Sequence, residues 1–153
     1  MNKNDNGGEM QIATFYVGEM LLGVDICDVQ EINRQRDLTA VPQTDECVRG
    51  VINLRGEVVT LLDLGMILDL GPTELRRQTR NMIVRHAGEA LGLIVDSLAD
   101  VVKIHCEDIE PPPANLAGLD ARHVAGVYKL PEEIVVILKI DGVCAPRDLV
   151  VRN

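Results

Sequence analysis

The feature that most constrains the fold of this sequence is a succession of short β-prone apolar runs, separated by turn residues at intervals of about 8–12 residues. The clearest pair is the hairpin predicted over residues 51–63, in which Arg55-Gly56 forms the turn. Further hairpins are predicted over residues 12–26, 82–95 and 124–137. Helical spacing is confined to short stretches at 42–46 and 64–70. The pattern predicts an all-β fold with short helical turns and argues against a βαβ nucleotide-binding fold.

The core of such a fold must be built mainly from aliphatic side chains. Apolar residues make up 46% of the sequence, and aromatic residues only 2%. A chain of 153 residues buries roughly 70% of its unfolded surface, which makes a metal or disulfide staple unnecessary. The cysteines are widely spaced and form no C-x-x-C pair, so we expect small buried side chains in a reducing cytosol and no metal site: Cys27, Cys47, Cys106 and Cys144.

The charge of the chain excludes several classes of partner. Fifteen basic residues against 24 acidic ones give a formal net charge of −9, which repels nucleic acid and anionic lipid. No apolar run approaches the roughly 20 residues that a membrane span needs, so we expect no membrane insertion and a cytoplasmic protein. Residues 1–10 and 146–153 are interpreted as disordered tails, and the charged stretch 73–80 as a surface linker.

No residue pattern typical of catalysis or cofactor binding is present. Ser97 is the only serine, and it lacks the glycines of a nucleophile elbow. No phosphate-binding glycine loop occurs either. The histidines are predicted at solvated turn or loop positions, and four aspartates at strand ends or solvated faces: His86, His105, His123, Asp63, Asp69, Asp96 and Asp100. We therefore predict no catalytic, cofactor or metal site, and an enzyme with an unrecognised site remains the less favoured alternative.

One polar stretch stands out, Arg49 to Gly56 in the central hairpin. An arginine at a hairpin tip can bind a partner's carboxylate or backbone carbonyls with its planar fork of donors. The alternative interpretation of Arg55 is a solvated turn residue. Glu31 on its strand has the same two interpretations, a residue that binds a partner or a residue of the solvated face. Alternation predicts that Val29 and Glu31 share one face of that strand.

The sequence resembles the CheW-like family of chemotaxis coupling proteins over about residues 11–143. The motif at the centre of the resemblance is Asn53-Leu54-Arg55-Gly56. Other segments match in order along the chain: 15–18, 23–26, 29–32, 41–42, 61–64, 91–101, 124–127 and 135–138. Each piece alone is weak, and the ordered set is specific.

The resemblance implies two five-stranded SH3-like β-barrels that share an apolar core, in a single domain over 11–145 with halves at 11–72 and 80–145. It implies a non-catalytic adaptor that couples methyl-accepting chemoreceptors to the histidine kinase CheA and is monomeric on its own. The receptor tip would contact Val29, Glu31, Asn53 and Arg55. The regulatory domain of the kinase would contact Met82, Leu98 and Val101. An adaptor of a non-swimming chemosensory pathway, for surface motility or gene-expression control, is the alternative.

Overall fold

The computed structural model describes residues 8–42, 45–114, 116 and 118–144, and it is built mainly from strands. The strands, in chain order, are β1 (Glu9–Val17), β2 (Met20–Asp25), β3 (Val29–Asn33), β4 (Val48–Leu54), β5 (Glu57–Asp63), β6 (Arg80–His86), β7 (Glu89–Val95), β8 (Ser97–His105), β9 (Val124–Lys129) and β10 (Ile134–Leu138). Two one-turn helices, α1 (Leu64–Ile67) and α2 (Ile140–Val143), follow β5 and β10, and 3₁₀ turns cover Ile26–Asp28, Cys106–Asp108 and Ala121–His123.

The strands form two five-stranded sheets. The first sheet has the order β8-β1-β2-β10-β9 and the second has the order β3-β6-β7-β5-β4. Neighbouring strands are antiparallel except for the pairs β2–β10 and β5–β7, which are parallel. The predicted all-β class with two five-stranded units is therefore confirmed, and the sheets are consistent with SH3-like barrels.

The boundaries of the predicted halves are wrong, because the sheets do not divide the chain at residues 72–80. The second sheet uses the five consecutive strands β3 to β7, and the first sheet combines β1 and β2 with β8 to β10. Hairpin signals in a sequence are local, so they cannot show which hairpins share a sheet. The predicted tail boundary at residue 10 is also wrong, since β1 begins at Glu9. The remainder of that tail up to residue 7, and the predicted tail 146–153, lie outside the described residues.

The two sheets pack on each other through one main core. This core contains buried residues of both sheets, including Phe15, Leu22, Leu62, Met82, Val84 and Leu93. Each sheet also covers a smaller cluster on its other face. The second-sheet cluster is Ile52, Leu54, Val59, Leu61, Ile83, Ala90 and Ile94, and the first-sheet cluster is Met10, Ile12, Leu21, Ile104, Val135 and Ile137. Aliphatic side chains dominate all three clusters, as the composition predicts.

A fully buried carboxylate at the end of β5 holds the segment that leads to β6. Asp63 accepts hydrogen bonds from Arg49 Nη1 at 2.8 Å, from Thr73 N at 2.9 Å and from Thr73 Oγ1 at 2.9 Å. It also caps α1 by accepting from Met66 N at 3.4 Å. Thr79, farther along this segment, is fully buried. Thr73 is thus bonded to β5, both threonines are buried, and the interpretation of the segment as a surface linker is wrong at these two positions.

Two further expectations about single residues need correction. Cys47 and Cys144 are buried as predicted, whereas Cys27 is exposed in the 3₁₀ turn after β2. His123, which was predicted to be solvated, is buried where its 3₁₀ turn packs under α2. The main-chain N–H of Lys139 donates to the carbonyl of His123 at 2.9 Å, which draws this turn against the last strand. Both residues lie in short turns, and the burial of such a turn depends on parts of the chain that are distant in sequence.

Candidate functional site

The tip of the β4–β5 hairpin places Arg55 in an uncommon backbone conformation. Leu54 lies opposite Glu57, so only Arg55 and Gly56 form the turn, and both have positive φ values, of 53° and 88°. This is the pattern of a type I′ turn, which favours asparagine or glycine at its first position. Asn53 Oδ1 accepts a hydrogen bond from Gly56 N at 2.9 Å and so stabilises the turn. The Arg55 side chain points outward and is 68% exposed.

Arg55 forms an ion pair with Glu31 of β3. Its two terminal nitrogens donate to the two carboxylate oxygens, with Nη1 lying 3.4 Å from Oε2. The hydrogen bond from Arg55 is the main reason why the pKa of Glu31 is lowered, and it raises the pKa of Arg55 in turn. The Glu31 side chain is 25% exposed. Three predicted residues thus form one group, which we call the charged surface: Glu31, Asn53 and Arg55.

Val29 does not belong to the charged surface, because a β-bulge separates it from Glu31. Val29 lies opposite Val84, while Glu31 lies opposite Ile83, so the register shifts by one residue between them. Residues that lie opposite each other share a face. Val84 belongs to the main core and Ile83 to the second-sheet cluster, and Val29 itself packs against the main core. The prediction that Val29 and Glu31 share a face is therefore wrong.

Two residues beside the charged surface were not predicted. Val58 lies directly opposite Asn53 in the hairpin and is 65% exposed, which makes it an apolar neighbour of Asn53. No alternation in β5 marks it, because Thr60 and Leu62, which are in phase with Val58, are buried like Val59. Arg85 of β6 donates to side chains of β3 and β5. These contacts join residues far apart in sequence, so no local pattern predicts them.

Of the three residues predicted to contact the kinase, two are exposed in the structure and one is buried. Leu98 and Val101 lie on β8, an edge strand of the first sheet, and are 42% and 53% exposed. They lie opposite Phe15 and Ala13, so they share one face, and we call this pair the edge surface. Met82 is fully buried in the main core. The prediction that Met82 belongs to a contact surface is therefore wrong. β6 lies between β3 and β7, and the face of β6 that carries Met82 is covered by the first sheet.

The lone serine, Ser97, lies in the wall of a cavity. This cavity, of about 650 Å³, is lined by Ser97 with Tyr16, Asp96, Thr79 and neighbouring residues, and no histidine or cysteine is among them. Among the described residues, no three His, Cys, Asp or Glu side chains are arranged to hold a metal ion. None of the helices in the described ranges has the length and apolar character that crossing a membrane requires.

Comparison with known proteins agrees with the fold. A family model described as "CheW-like domain" matches residues 11–146. The chain is 30% identical to the chemotaxis protein CheW of Helicobacter pylori over 141 residues, covering 92% of this chain and 85% of that protein. It is 28% identical to CheW of Treponema pallidum over 148 residues, covering 94% and 87%.

A solved structure shows the same architecture. The scaffolding protein TtCheW from Thermoanaerobacter tengcongensis superimposes with a TM-score of 0.81 at 32% identity, covering 92% of this chain and 90% of that one. The family model spans both sheets, including the hairpin that carries Asn53 and Arg55. The chain therefore belongs to the CheW-like family.

Proposed function

We propose that this protein is a non-catalytic adaptor in chemotaxis signalling, which couples methyl-accepting chemoreceptors to the histidine kinase CheA. The observation that carries the proposal is the family match over both sheets, together with the meeting of Glu31, Asn53 and Arg55 at the hairpin tip. As part of the proposal, the adaptor works in the cytoplasm and is recruited to receptor arrays. It is monomeric in the absence of its partners.

The charged surface is proposed to bind the cytoplasmic tip of the receptor, a helical hairpin. Arg55 is exposed and keeps donors beyond those used by Glu31, since a guanidinium has five N–H groups. Val58 adds an exposed apolar side chain next to this group, so an amphipathic helix would meet both an apolar and a charged contact. Val29 contributes by supporting the start of β3 from the side of the main core.

The edge surface is proposed to bind the regulatory domain of the kinase. Leu98 and Val101 are two of the few large apolar side chains that the described residues expose. They belong to the first sheet, whereas the charged surface belongs to the second. We therefore expect that two partners can bind at once, one on each of the two sheets that pack together through the main core. Multivalent assembly would then raise the effective affinity of modest individual contacts.

The proposal is tested with single and paired charge reversals. Glu31→Arg and Arg55→Glu should each weaken the capture of a chemoreceptor cytoplasmic fragment, and each should leave kinase co-elution and the melting temperature near wild-type values. The double variant restores the ion pair with its charges exchanged, and it should still fail to capture the receptor if Arg55 itself contacts the receptor. Glu74→Arg, in an exposed ion pair with Arg76, is the matched control. Undiminished capture by both single variants would overturn the proposed receptor surface.

A further inference from the structure

Arginines without a carboxylate partner lie together where β3 ends and β6 begins. Every other arginine in the described part of the chain forms an ion pair with an aspartate or glutamate: Arg49, Arg55, Arg76, Arg85 and Arg122. The ion pairs among the described residues include none of the remaining arginines, which we call the arginine surface: Arg34, Arg36, Arg77 and Arg80. The first two follow β3, and the last two lie at the start of β6.

The pairing of the strands brings the two segments of the arginine surface together. β3 and β6 are antiparallel, and Asn33 lies opposite Asn81. Arg34 comes directly after Asn33, and Arg80 comes directly before Asn81. The two arginines are therefore neighbours at the end of this strand pair.

Two guanidinium groups converge on one main-chain carbonyl. Arg36 Nη2 donates to the carbonyl of Thr79 at 2.7 Å, and Arg80 Nη1 donates to the same carbonyl at 3.0 Å. The two nitrogens are therefore separated by no more than the sum of these two distances. The carbonyls of Arg76 and Arg77 accept a second hydrogen bond from each group, at 3.1 and 2.9 Å. Neutral carbonyls hold both groups, so no opposite charge compensates them.

The charge balance around Arg36 agrees with this geometry. Its pKa is lowered, first by partial burial and then by the positive charges of Arg34 and Arg80. Like charges that lie close together without a counterion act in this direction. The acidic residues of the two segments do not supply one, because Glu74 is bonded to another arginine and Asp37 takes part in no ion pair among the described residues. The missing negative charge can come from a partner.

The available donors fit carboxylates. Arg34 and Arg77 are exposed, and their guanidinium groups make no hydrogen bond among the described residues, so all five N–H groups of each can bind a partner. A guanidinium binds a carboxylate with two parallel hydrogen bonds. Because the arginines come from two separate segments, they suit several carboxylates in a row better than a single phosphate group.

The net charge of the chain limits how long an anionic partner can be. At −9 the protein repels extended polyanions such as nucleic acid and anionic membranes. A short acidic segment needs to contact only the arginine surface. Acidic residues of the chain that lie farther away than about 8 Å are largely screened from it at physiological ionic strength.

We infer that the arginine surface binds an acidic segment of a partner protein, in which aspartate or glutamate residues lie close together. The half-buried Arg36 and Arg80, which main-chain carbonyls hold in place, form the fixed part of the site. The exposed Arg34 and Arg77 bind the segment from the two chain segments that carry them. This site goes beyond the proposed function, since neither the charged surface nor the edge surface includes any of these arginines.

The experiment uses a fluorescently labelled hexaglutamate peptide, with hexaglutamine as the neutral control. Hexaglutamate should bind at low salt, shift the amide NMR signals of residues 34–36 and 77–80, and dissociate at high salt. The double variant Arg34→Gln/Arg77→Gln should weaken this binding about three- to tenfold, as expected for exposed ion pairs, with an unchanged melting temperature. The matched control is Arg122→Gln/Lys129→Gln, which removes the same charge from exposed ion pairs elsewhere and should bind like the wild type.

Several results would overturn the inference. Equal weakening by the two double variants would show that the peptide responds only to the net charge of the protein. Absence of hexaglutamate binding at millimolar peptide would also exclude the site. Inorganic phosphate or phosphatidylglycerol vesicles are tested in parallel. Tighter binding of either one at residues 34–36 and 77–80 would identify the ligand as a phosphate group or a membrane, and not as an acidic protein segment.

Discussion

The replacement Asp63→Ala should destabilise the fold more than any change on the charged or edge surface. The carboxylate is fully buried and accepts from Arg49 Nη1, from two atoms of Thr73 and from the N–H of Met66. Removing one partner of a buried ion pair costs about 3–5 kcal/mol, because the remaining polar groups lose their partners without regaining water. For a chain of this size each 1 kcal/mol lowers the melting temperature by about 2–4 °C, so we expect a loss of roughly 6–20 °C.

Two companion variants make this expectation specific. Asp63→Asn keeps an oxygen acceptor at the same place and should lose less stability than Asp63→Ala. Glu107→Ala removes an exposed carboxylate from a 3₁₀ turn, and its melting temperature should lie near that of the wild type. The assay is thermal unfolding followed by circular dichroism, with urea unfolding as a second measure of the free energy. If Asp63→Ala melts within about 2 °C of Glu107→Ala, the anchoring role assigned to the Asp63 carboxylate is refuted.

Three further outcomes are expected. The Arg122 hydrogen bond lowers the pKa of Asp120 from 3.8 to about 2, so the pair's contribution is complete above pH 3.8 and is lost as the pH falls towards 2. The difference in melting temperature between the wild type and Arg122→Ala should accordingly vanish near pH 2. A difference that stays constant with pH would contradict this. Met82→Ala should lower stability by about 2–5 kcal/mol in urea unfolding, because it opens a cavity in the main core. Leu98→Asp and Val101→Asp should abolish kinase co-elution without lowering the melting temperature. If the folded variants still co-elute with the kinase, the kinase does not bind at the edge surface.

The sequence predicts the strands and their local pairing well, because alternation and turn residues act over short distances. The hairpin at Arg55-Gly56 is an example, and the structure pairs its strands around that turn. The assignment of strands to sheets is not local. The parallel pairing of β2 with β10 joins residues more than 100 positions apart, and no turn signal marks it. The predicted division into sequential halves fails for this reason.

The charged surface illustrates the same limit at the level of single residues. The structure brings together three residues of the set that the resemblance named, Glu31, Asn53 and Arg55, and their role in receptor binding stays a proposal. Strict alternation failed for Val29, since one bulge residue reverses the faces on either side of it. Met82 was misplaced because an apolar residue in a strand gives the same pattern whether its face is covered by a second sheet or left open. Burial of that kind depends on the packing of the whole domain.

The strand order also determines when the protein can become complete during synthesis. The second sheet uses residues 29–95 without interruption, so it can form as soon as that stretch has left the ribosome. The first sheet must wait, because β10 lies between β2 and β9 and is the last strand to be made. Until then β2 has an open edge, and open edges promote aggregation. A chain terminated before Ile134 would consequently be a target for chaperones and proteases, although most of its residues would already be present.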